Sequence, residues 1–252
     1  MRNSIDLNCD LGEWRSEDGP DLDKAIMPYI SSSNIACGGH IGNEISMRWT
    51  VILAKKNKVK VGAHPSYPDR AGFGRNQIEM TEDRLKHSIK DQILSLKEIA
   101  DGEGVKLHHI KPHGALYNAA SKYRDIAKCV AEAIKELGLN VLVYGQADSE
   151  FELVARKNDL NFCAEVFADR TYEDDLRLRA RNLEGSVLHQ KEDVLTQIFE
   201  MVVEEKVTAY SGKRLPIKAE TICLHSDTKG SKELARNIHQ FLKNHGVRIT
   251  SP

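Results

Sequence analysis

The sequence predicts an α/β fold in which a mainly parallel sheet is covered by helices. Apolar runs of strand length alternate with amphipathic stretches of helix length, the pattern of repeated strand and helix units. Four polar clusters each close one of those apolar runs, as side chains do where separate strands converge on one rim of an α/β sheet or barrel. A chain of 252 residues with 40% hydrophobic content also suffices for one such domain, here taken as 1–252.

Strands are expected at 4–9, 33–37, 60–63, 107–110, 140–144, 162–167 and 221–225, where short apolar runs end in polar residues. Helices are expected at 43–57, 82–103, 122–137, 148–158, 191–205 and 231–244. Thr81 is a natural N-cap, and Glu82 and Asp83 suit the positive end of the helix that follows. In that helix Leu85, Ile89, Ile93, Leu96 and Ile99 recur at steps of three and four, so one face packs inward. Gly138 and Gly246 follow the last apolar residues of their helices, where a left-handed C′ position favours glycine. Residues 210–217 read as an exposed loop or hairpin. Periodicity leaves open whether the seven strands close into a barrel or remain an open doubly wound sheet.

Thirty-six basic against 37 acidic residues give a net charge of -1 without charge blocks, which argues against a nucleic-acid or membrane-surface partner. The opening residues carry no apolar run and no later stretch reaches the roughly 18 apolar residues of a membrane span, so a cytoplasmic location is expected. Five widely spaced cysteines without a C-x-x-C pair suit reduced thiols.

The first cluster is Asp6-Leu7-Asn8-Cys9-Asp10-Leu11-Gly12-Glu13, where strand alternation sends Asp6, Asn8 and Asp10 to one side. Such an acidic ladder requires cations, protons or hydrogen-bond donors opposite it. The second, Ala36-Cys37-Gly38-Gly39-His40, sets His40 after a glycine turn. The third runs from Gly62-Ala63-His64-Pro65 into a long loop with Asp69, Arg70 and Arg75, whose guanidinium groups suit carboxylate or phosphate. The fourth is Lys111-Pro112-His113-Gly114, where proline limits the freedom of a charge-stabilising lysine and a proton-exchanging histidine. Glu165 to Tyr172 and His225-Ser226-Asp227 close later strands in the same way; a rim ion pair is an equal reading for His225. Cys9 and Cys37 lie in apolar strands and read as packing. There is no G-x-x-x-x-G-K-[ST], G-x-S-x-G or H-E-x-x-H, so the Walker cradle, the esterase elbow and the common zinc-peptidase signature are not encoded.

Taken together, these strings resemble the LamB/YcsF family, the A subunit of the bacterial ATP-dependent 5-oxoprolinase. The match runs from Asp6 to Asp227, with Asn34 to His40, Gly62 to Asp69, Gly72 to Arg75, Lys111 to Asn118 and Glu165 to Arg170 in family order. The resemblance implies a seven-stranded β/α barrel of the glycoside hydrolase/deacetylase type. It also implies a cyclic amide hydrolase (EC 3.5.2.9 class) that opens 5-oxoproline to L-glutamate with ATP as co-substrate, in a complex with B and C subunits. Departures are Asn43 in place of an acid, Asp175, Arg177-Leu178 and Ser226. They put the rim after the sixth strand most in doubt.

On this reading Asp10, His64, Lys111 and His113 form the catalytic set. Asp10 acts as base, Lys111 and Arg70 stabilise charge, and His64 or His113 donates a proton. Asn8, His40, Asp69, Arg70, Arg75, Glu165, Arg170 and Arg179 contact substrate. The alternative is a metal-dependent deacetylase of an N-acetyl sugar or amide, with Asp10, His64 and His113 on a divalent metal such as Mg. A third reading is a non-catalytic subunit that binds a small acid for its partners.

Overall fold

The computed structural model describes residues 3–252. Its strands are β1 (Ser4–Leu11), β2 (Ser32–Ala36), β3 (Lys60–His64), β4 (Leu107–Ile110), β5 (Leu142–Gln146), β6 (Asn161–Phe167), β7 (Lys206–Thr208), β8 (Arg214–Pro216), β9 (Thr221–His225) and β10 (Arg248–Ile249). The helices are α1 (Gly19–Ile26), α2 (Glu44–Asn57), α3 (Glu82–Gly102), α4 (Gly114–Lys122), α5 (Arg124–Glu136), α6 (Glu150–Lys157), α7 (Lys191–Val203) and α8 (Ser231–Asn244).

Strands β1 to β6 pair in sequence, all parallel; β9 pairs with β6 on one side and β1 on the other, which closes a seven-stranded barrel. This settles the choice that periodicity left open. All seven expected strands are present. Strand β10 adds a parallel pairing beside the start of β1, and β7 with β8 forms the hairpin anticipated near residue 210.

Helices α2 and α3 start where their caps direct. Asn43 accepts from Ser46 N while the Ser46 hydroxyl answers Asn43 N, a reciprocal cap that gives Asn43 a local structural reason to stand where an acid was expected. Thr81 caps α3 through Arg84 N. Gly138 and Gly246 have φ of 62° and 73°, as C′ residues do. Helices α1 and α4 are not foreshadowed by the hydrophobic pattern. Helix α1 has only eight residues and opens on Gly19-Pro20; α4 begins immediately after His113 and is cut from α5 by the extended backbone of Tyr123.

The barrel interior is polar. Asp6, Asn8 and Asp10 all face inward, as alternation requires. Asp6 accepts from Ser31, Ser32, Thr221 and Tyr144, and so is a structural group near the N-terminal end of β1, away from the rim where the strands end. In the next layer Asn8 donates to Glu165 Oε1 (3.0 Å) and Thr221 Oγ1 (2.7 Å). Asn34 bridges Asn8 and Asp10, and His109 Nε2 lies 2.7 Å from Asn34 Oδ1. The His109 ring is stacked on Tyr144 and fills the space beside Gly62, where any Cβ would collide with it. Buried polar groups are tolerated when they satisfy one another, and such networks fix a unique arrangement. The apolar faces of the helices pack outside the strands, where Leu7, Cys9, Leu11, Ile35 and Val61 belong to the main core.

Candidate functional site

The four clusters meet at the C-terminal rim of the barrel. Asp10, near the end of β1, is 3% exposed. Its Oδ1 accepts from Lys111 Nζ at 2.9 Å and Asn34 Nδ2 at 2.7 Å, and its Oδ2 lies 3.4 Å from His64 Nε2. Burial alone would raise the Asp10 pKa; His64 and Lys111 beside it outweigh that and hold the carboxyl well below its usual range. The general-base role expected for Asp10 is therefore disfavoured, because a carboxylate this well satisfied is a weak proton acceptor. Its work here is to fix Lys111.

Lys111 is buried between Asp10, Glu165 Oε1 (3.1 Å) and Cys223 Sγ (2.9 Å). Burial pulls its ammonium toward neutrality, and Asp10, Cys223 and Glu165 more than reverse that, so Lys111 stays charged. Glu165, raised by burial against the pull of Lys111, has its Oε2 without a hydrogen-bond partner, as has the hydroxyl of neighbouring Tyr117.

His64 and His113 face each other with Nε2 and Nδ1 2.9 Å apart. The other nitrogen of each ring is committed: His64 Nδ1 to Lys111 O at 2.7 Å, and His113 Nε2 to Phe73 O at 2.9 Å. A carbonyl only accepts, so those nitrogens carry the protons and the facing nitrogens of the neutral rings are bare. Two facing lone pairs repel, so the pair holds a cation, either one shared proton or a metal ion, and positive charge there is what His64 brings to Asp10.

Glu13, part of the first cluster but given no role by the sequence, joins this pair. Its Oε1 lies 2.9 Å from His40 Nε2, 3.5 Å from His113 Nδ1 and 4.0 Å from His64 Nε2. The His40 ring stacks on His113, with centroids 3.7 Å apart. Burial and the charge of Asp10 push the Glu13 carboxyl up to about 7. The chain reverses at Gly12 (φ 71°), and Asp23 holds that turn by accepting from Gly12 N and Trp14 Nε1, both at 2.9 Å. Asp23 sits in the unpredicted α1, so only the structure links it to the site.

On the other side of the mouth, Asp169 Oδ1 lies 2.9 Å from His225 Nδ1, and Thr228 donates to Oδ2. Burial would raise Asp169; His225 and Thr228 hold it below its usual range, so it stays an acceptor and keeps the His225 proton on Nδ1. That leaves His225 Nε2 as the bare nitrogen of the ring, and a ring nitrogen of His225 lies within 4.8 Å of an Asp10 carboxylate oxygen. The pairing with Asp169 is the rim contact that the sequence allowed for His225, and it also orients the imidazole.

A cavity of about 510 Å³ opens over this floor, lined by Asp10, His64, Lys111, His113 and His225 together with Arg75, Arg170 and Arg179. Arg75 pairs with Asp227. Arg170 is buried and donates to Ser186 O and Arg179 O, fixing the loop after β6; Arg179 pairs with Glu173 and lies over Tyr210. Arg181, not singled out in the sequence, also lines the cavity. Asp69 and Arg70 do not line it. Asp69 accepts from Gly72 N and Asn76 N, and Arg70 donates to Gly38 O and Gly42 O, so both shape the loop that carries Arg75. Asn8 and Glu165 lie behind Lys111 in the barrel interior. All five cysteines are free and buried, and burial pushes Cys37 up to about 12, in keeping with packing.

Fold and site thus define a closed, seven-stranded parallel β/α barrel with a buried, charged centre at its C-terminal rim. The chain belongs to the LamB/YcsF family, whose profile matches residues 5–252. It is 42% identical over 247 residues to the A subunit of 5-oxoprolinase from Natranaerobius thermophilus, covering 98% of this chain and 96% of that protein. To the corresponding 5-oxoprolinase chain of Pyrococcus abyssi it is 41% identical over 245 residues, covering 97% and 96%. The crystal structure of a lactam utilization protein from Thermus thermophilus superposes with a TM-score of 0.92 at 34% identity, covering 99% of this chain and 100% of that one. A T48 deacetylase shares the fold at a TM-score of 0.50 and 11% identity, covering 99% and 88%. No helix among the described residues is long and apolar enough to cross a membrane.

Proposed function

We propose that the chain is the A component of an ATP-dependent 5-oxoprolinase that opens 5-oxoproline to L-glutamate together with B and C subunits in the cytoplasm. The observation that carries this reading is the charged Lys111 on the floor of a small cavity with arginines at its mouth. The names of relatives matched along nearly their whole length agree with it. A small acid that acquires a phosphoryl group needs cations at both places.

A five-membered lactam is neutral and resonance-stabilised. Transfer of a phosphoryl group from ATP to its oxygen makes the ring carbon electrophilic and the oxygen a leaving group. Water then adds to that carbon and the ring C–N bond breaks as the ring nitrogen takes a proton, which leaves the new carboxyl as its acyl phosphate; a second water displaces phosphate to give L-glutamate. Lys111 stabilises charge on the oxygen, with Asp10 and Glu165 holding its ammonium in place. His225, its tautomer set by Asp169, takes the proton from water at Nε2 and returns one to the ring nitrogen. Arg75, Arg170, Arg179 and Arg181 supply the positive rim. With no phosphate loop in the sequence, ATP and its accompanying Mg are contacted largely by the partner subunits. The names of relatives matched along nearly their whole length favour this reading over the deacetylase one.

The test is 5-oxoproline-dependent phosphate release, measured with this chain alone and then with candidate B and C chains. Release only in the combined sample supports the proposal. No release in any combination, with folded proteins, sinks it.

A further inference from the structure

The expected metal set of Asp10, His64 and His113 is not the one whose donors converge best. Asp10 spends Oδ1 on Lys111 and Asn34, whereas Glu13 and His40 bring a carboxylate oxygen and a third imidazole nitrogen to the His64–His113 pair. We infer that Glu13 Oε1, His40 Nε2, His64 Nε2 and His113 Nδ1 bind one divalent first-row transition-metal ion, zinc by donor preference.

Three features support this. The four donor atoms all lie within 4.8 Å of one another; the distances from Glu13 Oε1 to the three nitrogens, and between the His64 and His113 nitrogens, run from 2.9 to 4.0 Å. These bracket the roughly 3.3 Å between neighbouring donors that a tetrahedral ion with bonds of about 2.0–2.1 Å implies. Two of the three rings are also set as ligands are set: His64 and His113 each give the outward N–H to a backbone carbonyl and turn the other nitrogen inward, whereas His40 Nδ1 is buried without a partner. The carbonyl that holds His113 belongs to Phe73, a non-glycine residue at φ 56°, so a costly backbone conformation serves to orient this imidazole. Finally, facing lone pairs 2.9 Å apart repel unless a cation lies between them.

Three imidazoles and one carboxylate suit zinc and its first-row neighbours, whereas magnesium prefers an all-oxygen shell and keeps its waters. Any magnesium therefore travels with ATP and not in this cluster. The ion sits on the β1 to β4 side of the mouth, opposite the Asp169–His225 pair. When bound it supplies a Lewis acid beside the cavity.

The test uses the full chain and does not depend on turnover. Protein purified without chelator is analysed for metals, then stripped and titrated with Co2+ under visible absorption. The expected result is about one equivalent of zinc or another first-row metal, and a tetrahedral cobalt spectrum that saturates at one ion per chain. Glu13→Gln and His40→Ala, checked as folded by circular dichroism, each lower cobalt affinity at least as much as the ~10- to 100-fold that loss of an outer-shell partner costs. Folded wild-type protein that takes up neither zinc nor cobalt overturns the assignment, as does cobalt binding that both variants leave unchanged. A single proton shared by His64 and His113 would give that first negative result. Failure of 5-oxoproline turnover would leave the metal result standing.

Discussion

Lys111 Nζ lies 2.9 Å from Asp10 Oδ1, both side chains nearly fully buried on the floor of the cavity. Their residues end or follow strands on opposite sides of the barrel mouth, and closure of the sheet is what brings them together. With Glu165 at 3.1 Å, the ammonium serves two carboxylates at once.

Removing that cation strands both acids. Replacing Lys111 by Met should lower unfolding stability by about 3–5 kcal/mol, because breaking a buried pair leaves an uncompensated charge. Denaturant unfolding measures this, and adding Glu165→Gln to the Lys111→Met chain should restore part of the loss. A double variant no more stable than the single one would contradict the assigned charge balance.

Gly62 gives the space that the His109 ring occupies. Gly62→Ala should displace that ring and break its contact with Asn34, which in turn holds Asp10. Overpacking costs of about 1–3 kcal/mol are expected. Thermal unfolding should show the loss, and an unchanged Tm would place His109 elsewhere.

Asp23 is buried, which pushes its carboxyl up to about 6 against the pull of Trp14, Gly12 and Thr50. A raised acid binds its proton more tightly folded than unfolded, so burying its anion costs stability above pH 6, and that cost fades as the pH falls toward the unfolded value near 4. The stability of Asp23→Asn relative to wild type should therefore fall by about 2–3 kcal/mol from pH 7 to pH 4. A difference that does not change with pH would refute the raised value.

Much of this site was legible in the sequence. Asp10, His64, Lys111 and His113 each end or follow an apolar run, and a parallel β/α architecture sends such positions to one rim. What the sequence concealed is long-range. The engagement of Asp10 by Asn34, which weakens it as a base, depends on the β1–β2 register of Asp10 opposite Asn34. The tautomers of His64 and His113 depend on carbonyls from other segments. Arg70 looked like a ligand for anions because its loop is rich in charge, yet it ties down the Gly38–Gly42 turn. Helix α1 was hidden by its Gly-Pro opening, and with it the role of Asp23 in setting the turn that aims Glu13.

The most direct test is the amount of glutamate formed from 5-oxoproline and ATP by this chain combined with its B and C partners, wild type against Lys111→Gln. The account predicts glutamate formation with the wild-type chain and a loss of about 100-fold or more with the variant, the scale of removing a charge-stabilising donor. A folded Lys111→Gln chain that supports the wild-type rate would contradict it, because the reaction would then not take place at this barrel mouth.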